Sequence, residues 1–149
     1  SSPAHPDPWS KIRLGWIDPV IPEGPDDPGY MDLEPVEEQP DVRKVYASSA
    51  GTQEYFLIEN RQRTGFDAFL PGAGLLVWHV DDRAVETRIG SNSLNNDPAH
   101  PAIRVVEADG GNDLLDASDG DFGGPGDPFP GYLDKTDFGP DTVPASAPY

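Results

Sequence analysis

Apolar residues along this chain fall in short clusters between Gly and Pro, and in one place they recur at helical spacing. Trp9, Ile12 and Trp16 lie three and four residues apart. Asp7 is a suitable cap, Pro8 suits the first helical position, and Gly15 supplies a stop. The spacing predicts a short helix within residues 1–16, with Lys11 and Arg13 turned away from the apolar face. Residues 17–41 read as loop, because Pro19, Pro22, Pro25, Pro28, Pro35 and Pro40 interrupt any ladder. Residues 30–33 are the one brief edge strand expected there. Alternating and β-branched runs then mark four strands. Residues 42–47 and 54–60 flank a hairpin loop at 48–52. Residues 74–81, GLLVWHVD, form the most apolar run and the expected central strand, and 102–108, AIRVVEA, the fourth. In the central strand Leu75, Val77, His79 and Asp81 face one side, and Leu76, Trp78 and Val80 the other.

The chain therefore reads as a single module with a sheet core at 42–108, buttressed by the Trp9/Trp16 helix. Its class is mainly β, with one short N-terminal helix and long Pro/Gly-rich loops (α+β). Residues 109–149 are an acidic Gly/Pro-rich segment. Too apolar-poor for a core of its own, that segment must lie on the sheet, bind something cationic, or be disordered.

Charge changes this picture more than length does. The 149 residues hold 27 Asp plus Glu against 10 Lys plus Arg, a net charge of −17, with 18 Pro and 16 Gly. A polyanion is repelled by phosphate backbones and anionic membrane surfaces, which excludes nucleic-acid binding through a basic face. No apolar run is long enough to insert in a membrane. Zero cysteines exclude disulfides, a thiol nucleophile and a thiolate zinc site. Acidity without cysteine fits an extracellular, secreted protein that uses calcium in place of disulfides. A chain beginning at Ser1 reads as a mature product or an excised piece. The charge is also uneven: from 105 to 149 ten acids face a single base, Lys135.

That acidic stretch, ADGGNDLLDASDGDFGGPGDPFPG, is the main chemical signal. Calcium takes about six to eight oxygens, which Asp, Asn and carbonyls in Gly-punctuated turns supply. The candidate ligands are Asp109, Asn112, Asp113, Asp116, Asp119, Asp121 and Asp127, although the spacing is not that of an EF-hand. The alternative is a solvated acidic loop with turn-forming Asp. A secondary polar cluster comprises His79, Asp81, Asp82, Asn96, Asp97 and His100, with satisfied structural histidines the favoured reading. Catalytic residues are not assigned: HExxH, GxSxG and phosphate-cradling glycine motifs are all missing from the sequence. Glu59 and Glu107 read as salt-bridging residues with Arg61, Arg63 or Arg104, and residues 59–74 as a structural corner.

Several strings together resemble a known family. DPWSKIRLGW (7–16), EYFLIENRQRTGFD (54–67), LPGAGLLVWHVD (70–81), EADGGNDL (107–114) and GDPFPG (126–131) are similar to the immune-inhibitor-A-type secreted zinc metallopeptidases. The resemblance spans roughly residues 4–131. It implies the region downstream of the HExxH helix and its methionine-containing turn, with residues 1–5 a remnant just after that turn. Zinc would then not bind in this chain, and the isolated chain would not be an enzyme. The expected function is the non-catalytic, calcium-stabilised C-terminal part of such a peptidase, partnered by the missing catalytic half. The alternative is a stand-alone extracellular structural module that self-assembles with other copies into oligomers or filaments.

Overall fold

The structure, a computed structural model, describes residues 3–23, 32–47, 53–115 and 123–146. Its centre is a four-stranded antiparallel sheet in chain order: β1 (Val42–Tyr46), β2 (Glu54–Arg61), β3 (Gly74–Asp81) and β4 (Ile103–Val106). Tyr55, Leu57 and Glu59 of β2 lie opposite Val80, Trp78 and Leu76 of β3, and Val77 opposite Val106 of β4. These pairings sort the side chains onto two faces as the alternation predicts. The hairpin loop expected at 48–52 and the first half of the strand expected at 30–33 lie outside the described residues. Leu33 itself is not in a strand, and the segment reaches the sheet two residues later, where Pro35 bridges Asn60.

One face buries Val42, Tyr55, Leu57, Val80 and Ala102 beneath two helices, α1 (Pro8–Arg13) and α2 (Asp82–Arg88). Asp7 caps α1 by accepting from the Ser10 N–H, and Trp9 and Ile12 pack on the core. Two details of the expected buttress are corrected. Regular helix ends at Arg13, and Gly15 at φ +70 turns the chain, so Trp16 leaves the apolar stripe and stands 64% exposed. Lys11, expected to face outward, is only 5% exposed, because its ammonium lies 3.5 Å from the buried Glu59 carboxylate.

Helix α2 is a second departure from the single expected helix. Asp81 at the end of β3 caps it, accepting from the Arg83 and Ala84 N–H groups at 2.9 and 3.1 Å. Ala84 and Val85 then supply the buried contact.

The opposite face buries Phe56, Val77, Val106, Ala108 and Phe129. The acidic segment reaches it by continuing the sheet: Phe129 exchanges both backbone hydrogen bonds with Leu75, at 2.8 and 2.9 Å. Gly74, at φ +144, lets the Phe129 carbonyl occupy the place a Cβ would take. Phe138 meets Phe56 and Phe129 edge-on, with centroids 5.1 and 5.8 Å away. The described part of the segment thus lies on the sheet, the first of the three fates its composition allows.

Both outer strands have part of their edge satisfied. Val20 donates to Val42 and accepts from Lys44, each at 2.9 Å. On β4 the Asn95 side chain pairs with the Ile103 N–H and carbonyl at 3.1 and 2.8 Å. No helix among the described residues is long and apolar enough to cross a membrane.

Candidate metal centre

Where β4 ends, a turn closed by the Gly110 N–H on the Glu107 carbonyl (3.0 Å) starts the acidic loop. The loop wraps the Glu107 carboxylate, whose two oxygens accept from the Asp113 and Leu114 N–H groups at 3.0 and 3.2 Å. Asp109 accepts from the Gly111 N–H at 3.0 Å. Asp127 arrives from the far side of the excursion. Its carbonyl holds the Ala108 N–H at 2.9 Å, and its carboxylate accepts from the Gly124 N–H at 2.7 Å. One carboxylate oxygen from each of Glu107, Asp109 and Asp127 consequently lies within 4.8 Å of the other two.

Glu107 and Asp127 are 3% and 5% exposed, while Asp109 is half-buried and opens the group to solvent. Burial pushes the Glu107 carboxyl above its ordinary pKa. The two backbone donors oppose the shift, and the charges of Asp127 and Asp113 add to it. Backbone packs hard on each carboxylate: a Cβ at Gly111 would lie 2.8 Å from a Glu107 oxygen, and one at Gly126 2.5 Å from an Asp109 oxygen. The donor set is all hard oxygen. Two ligands about 2.3–2.6 Å from one calcium ion can stand about 5 Å apart, a separation that these three oxygens do not exceed. Carbonyls and water would have to complete the shell.

The expected ligands divide on this geometry. Asp109 and Asp127 converge. Asp113 contributes its N–H and its charge, and Asn112 accepts from Arg104 at 3.4 Å. Asp116, Asp119 and Asp121 lie outside the described residues. Glu107 joins the group although the sequence reading placed it in a strand as a salt-bridging residue. The signal that could have found it is its position one residue past β4, at the head of EADGGND.

The secondary polar cluster resolves into separate structural contacts. His100 Nε2 meets Asp81 at 2.8 Å, and His79 Nε2 meets Glu54 at 3.0 Å across the β2–β3 pair. Burial lowers the His79 pKa, against the pull of Glu54. Burial acts to raise the Asp81 pKa, but the Ala84 N–H, the His100 ring and the Arg83 N–H outweigh it, and the net shift is downward. Asp82 accepts from the Tyr55 hydroxyl at 3.0 Å. Asp97 accepts from the Ala99 N–H at 3.1 Å, and the Asn96 N–H closes a turn on Ser93 at 3.3 Å. The two histidines thus direct their Nε2 atoms at different carboxylates, while the Asp81 charge also acts on His79.

A third constellation lies under α1. Glu59, fully buried, meets Arg61 at 2.6 Å, Lys11 at 3.5 Å and the Trp78 indole N–H at 3.2 Å. Arg61 also approaches Asp67 at 3.6 Å and donates to the His5 and Pro6 carbonyls, both at 3.1 Å. The Glu59–Arg61 bridge and corner anticipated from sequence are present, and they tie residues 5 and 6 to the sheet. No protein-family model matches this chain, and no curated protein and no solved structure is significantly similar to it.

Proposed function

We propose that this chain is a non-catalytic, calcium-braced module belonging downstream of the zinc helix of a secreted, immune-inhibitor-A-type metallopeptidase. The observation that carries the calcium part is the convergence of Glu107, Asp109 and Asp127 from two loops separated in sequence. Like charges gathered in a partly desolvated place favour a divalent cation between them. The family part draws on where the resembling strings fall. DPWSKIR is α1 with its cap, EYFLIENR is β2, and EADGGNDL with GDPFPG carries all three converging carboxylates. The ion would pin the 107–114 loop to the 124–129 return, and so hold the acidic segment on the sheet. Extracellular calcium would keep such a site filled.

Thermal melts with calcium and with chelator test the brace. Occupancy at a hundred times the dissociation constant should stabilise by about 2.7 kcal/mol, and Asp127→Asn should abolish the gain. An unchanged midpoint in the wild-type chain would sink the calcium reading. Zymography of the chain with added zinc should show no cleavage; chelator-sensitive proteolysis by pure protein would overturn the non-catalytic reading.

A self-assembling module is the second reading, favoured by Trp16, Phe66 and Phe69, which are 64%, 62% and 79% exposed. Because both sheet edges are partly covered, association would use this apolar surface. Light scattering giving a monomer at all concentrations, with and without calcium, would remove it.

A further inference from the structure

The face of the sheet opposite the helices carries a groove of about 510 Å³, within the range of small-molecule sites of about 300–1,000 Å³. Phe56, Ile58, Val77, Phe129 and Phe138 form its apolar wall. In a chain with 27 acidic residues, none of the described residues lining it is Asp or Glu. The one charged residue among the described lining is Lys135, which is also the single base among residues 105–149. Lys135 forms no ion pair with any described residue. The other polar lining groups, the hydroxyls of Tyr46, Thr136 and Ser146, can all act as donors.

We propose that this groove binds an amphiphilic carboxylate of the fatty-acid type, its alkyl chain against the phenylalanine wall and its head group at Lys135. Charge complementarity selects the class. A cationic amphiphile would meet the lysine with like charge and find no carboxylate in the described lining, and a neutral one would gain nothing from the half-buried ammonium. The net charge of −17 opposes an anion at long range. At about 0.15 M salt that field is screened beyond about 8 Å, and Asp134 and Asp137, the acids beside Lys135 in sequence, do not line the groove. The inference does not require calcium: residues 107–114 do not line the groove, and the Phe129–Leu75 backbone pairing and the Phe138 ring contacts place its far wall on the sheet.

Calorimetry on the intact chain tests it, at about 0.15 M salt without calcium and below micelle concentrations. The probes are octanoate, decanoate, dodecanoate, decanol and decyltrimethylammonium. Affinity should rise about fourfold per methylene along the alkanoates. Decanoate should bind more tightly than decanol, and decyltrimethylammonium more weakly than either. Lys135→Gln should weaken decanoate by about threefold and leave decanol unchanged. Methyl NMR shifts should fall on Ile58, Val45 and Val77. No alkanoate binding, equal binding of the carboxylate and the trimethylammonium, or shifts confined to the helix-covered face would each overturn the proposal. So would binding of a hydrophobic peptide's free C-terminus where alkanoates fail, because the site would then belong to a protein partner.

Discussion

Glu59 and Glu107 are both buried glutamates near strand ends, 0% and 3% exposed, and they differ in their company. Burial raises the pKa of each. Around Glu59 the main charges acting on it oppose that shift: Arg61, then Lys11, with the Trp78 N–H assisting. Around Glu107 the main charges acting on it are Asp127 and Asp113, and both reinforce the shift, leaving two backbone N–H groups as the counterweight. Among the described residues Glu107 and Asp109 form no ion pair. One centre is complete within the chain. The other brings three carboxylates together, which is the physical basis for proposing a cation there and none at Glu59.

Breaking the completed centre should give the largest effect. Arg61→Ala removes the cation nearest Glu59 and leaves Asp67, itself fully buried, without its guanidinium neighbour. It also frees the His5 and Pro6 carbonyls. Removing one partner from a buried pair costs about 3–5 kcal/mol. Urea denaturation should show a loss of that size, with Glu59→Gln close behind, and calcium should restore neither. A loss below about 1 kcal/mol would mean that solvent reaches this cluster and that the two centres are not distinct.

The matching substitution at the other centre should behave differently. Glu107→Gln removes one of several like charges and keeps an acceptor for one backbone N–H. Without calcium its stability should therefore stay within about 1 kcal/mol of wild type. With calcium the variant should lose the wild-type gain of about 2–3 kcal/mol. Calcium titrations followed by the melting midpoint separate the cases. A variant equally destabilised with and without calcium would make Glu107 a plain loop-bracing residue.

The two centres were not equally legible in the sequence. β3 runs over the expected residues, Gly74 to Asp81, and β1, β2 and β4 depart from their expected limits by at most two residues, because alternation and Pro/Gly punctuation act locally. Glu59 and Arg61 sit two apart on one strand face, so their pairing follows from strand period. The acidic centre joins residues 107 and 109 to 127 through an excursion whose return is set by the Phe129–Leu75 pairing, and no local pattern encodes that closure. Helix α2 escaped because its apolar stripe is only Ala84 and Val85. Its clearest mark, Asp81 before Asp82-Arg83-Ala84, also reads as a polar strand end. The inward turn of Lys11 depends on Glu59, 48 residues away, so helical spacing alone assigned it to solvent.

The smallest effect expected is also the most selective. The folded-state pKa of Glu107 is raised above the ordinary 4.5, so its contribution to stability is whole below that value. That contribution is lost as pH rises through the folded-state pKa, since above it the folded form must hold a carboxylate that the unfolded chain carries more easily. Asp81, with a lowered pKa, acts in the opposite sense: its contribution is present above 3.8 and lost as pH falls through the folded-state value. Subtracting the stability–pH curve of Glu107→Gln from that of wild type, both in chelator, cancels Asp81 and isolates the acidic centre. The difference should decline with rising pH from 4.5 upward, by a fraction of the calcium effect. Saturating calcium should flatten or invert it, because the ion replaces the proton between the carboxylates. A chelated difference curve that rises with pH would mean that the Glu107 pKa is lowered in the folded state by a positive partner, and the contrast between the two centres would collapse.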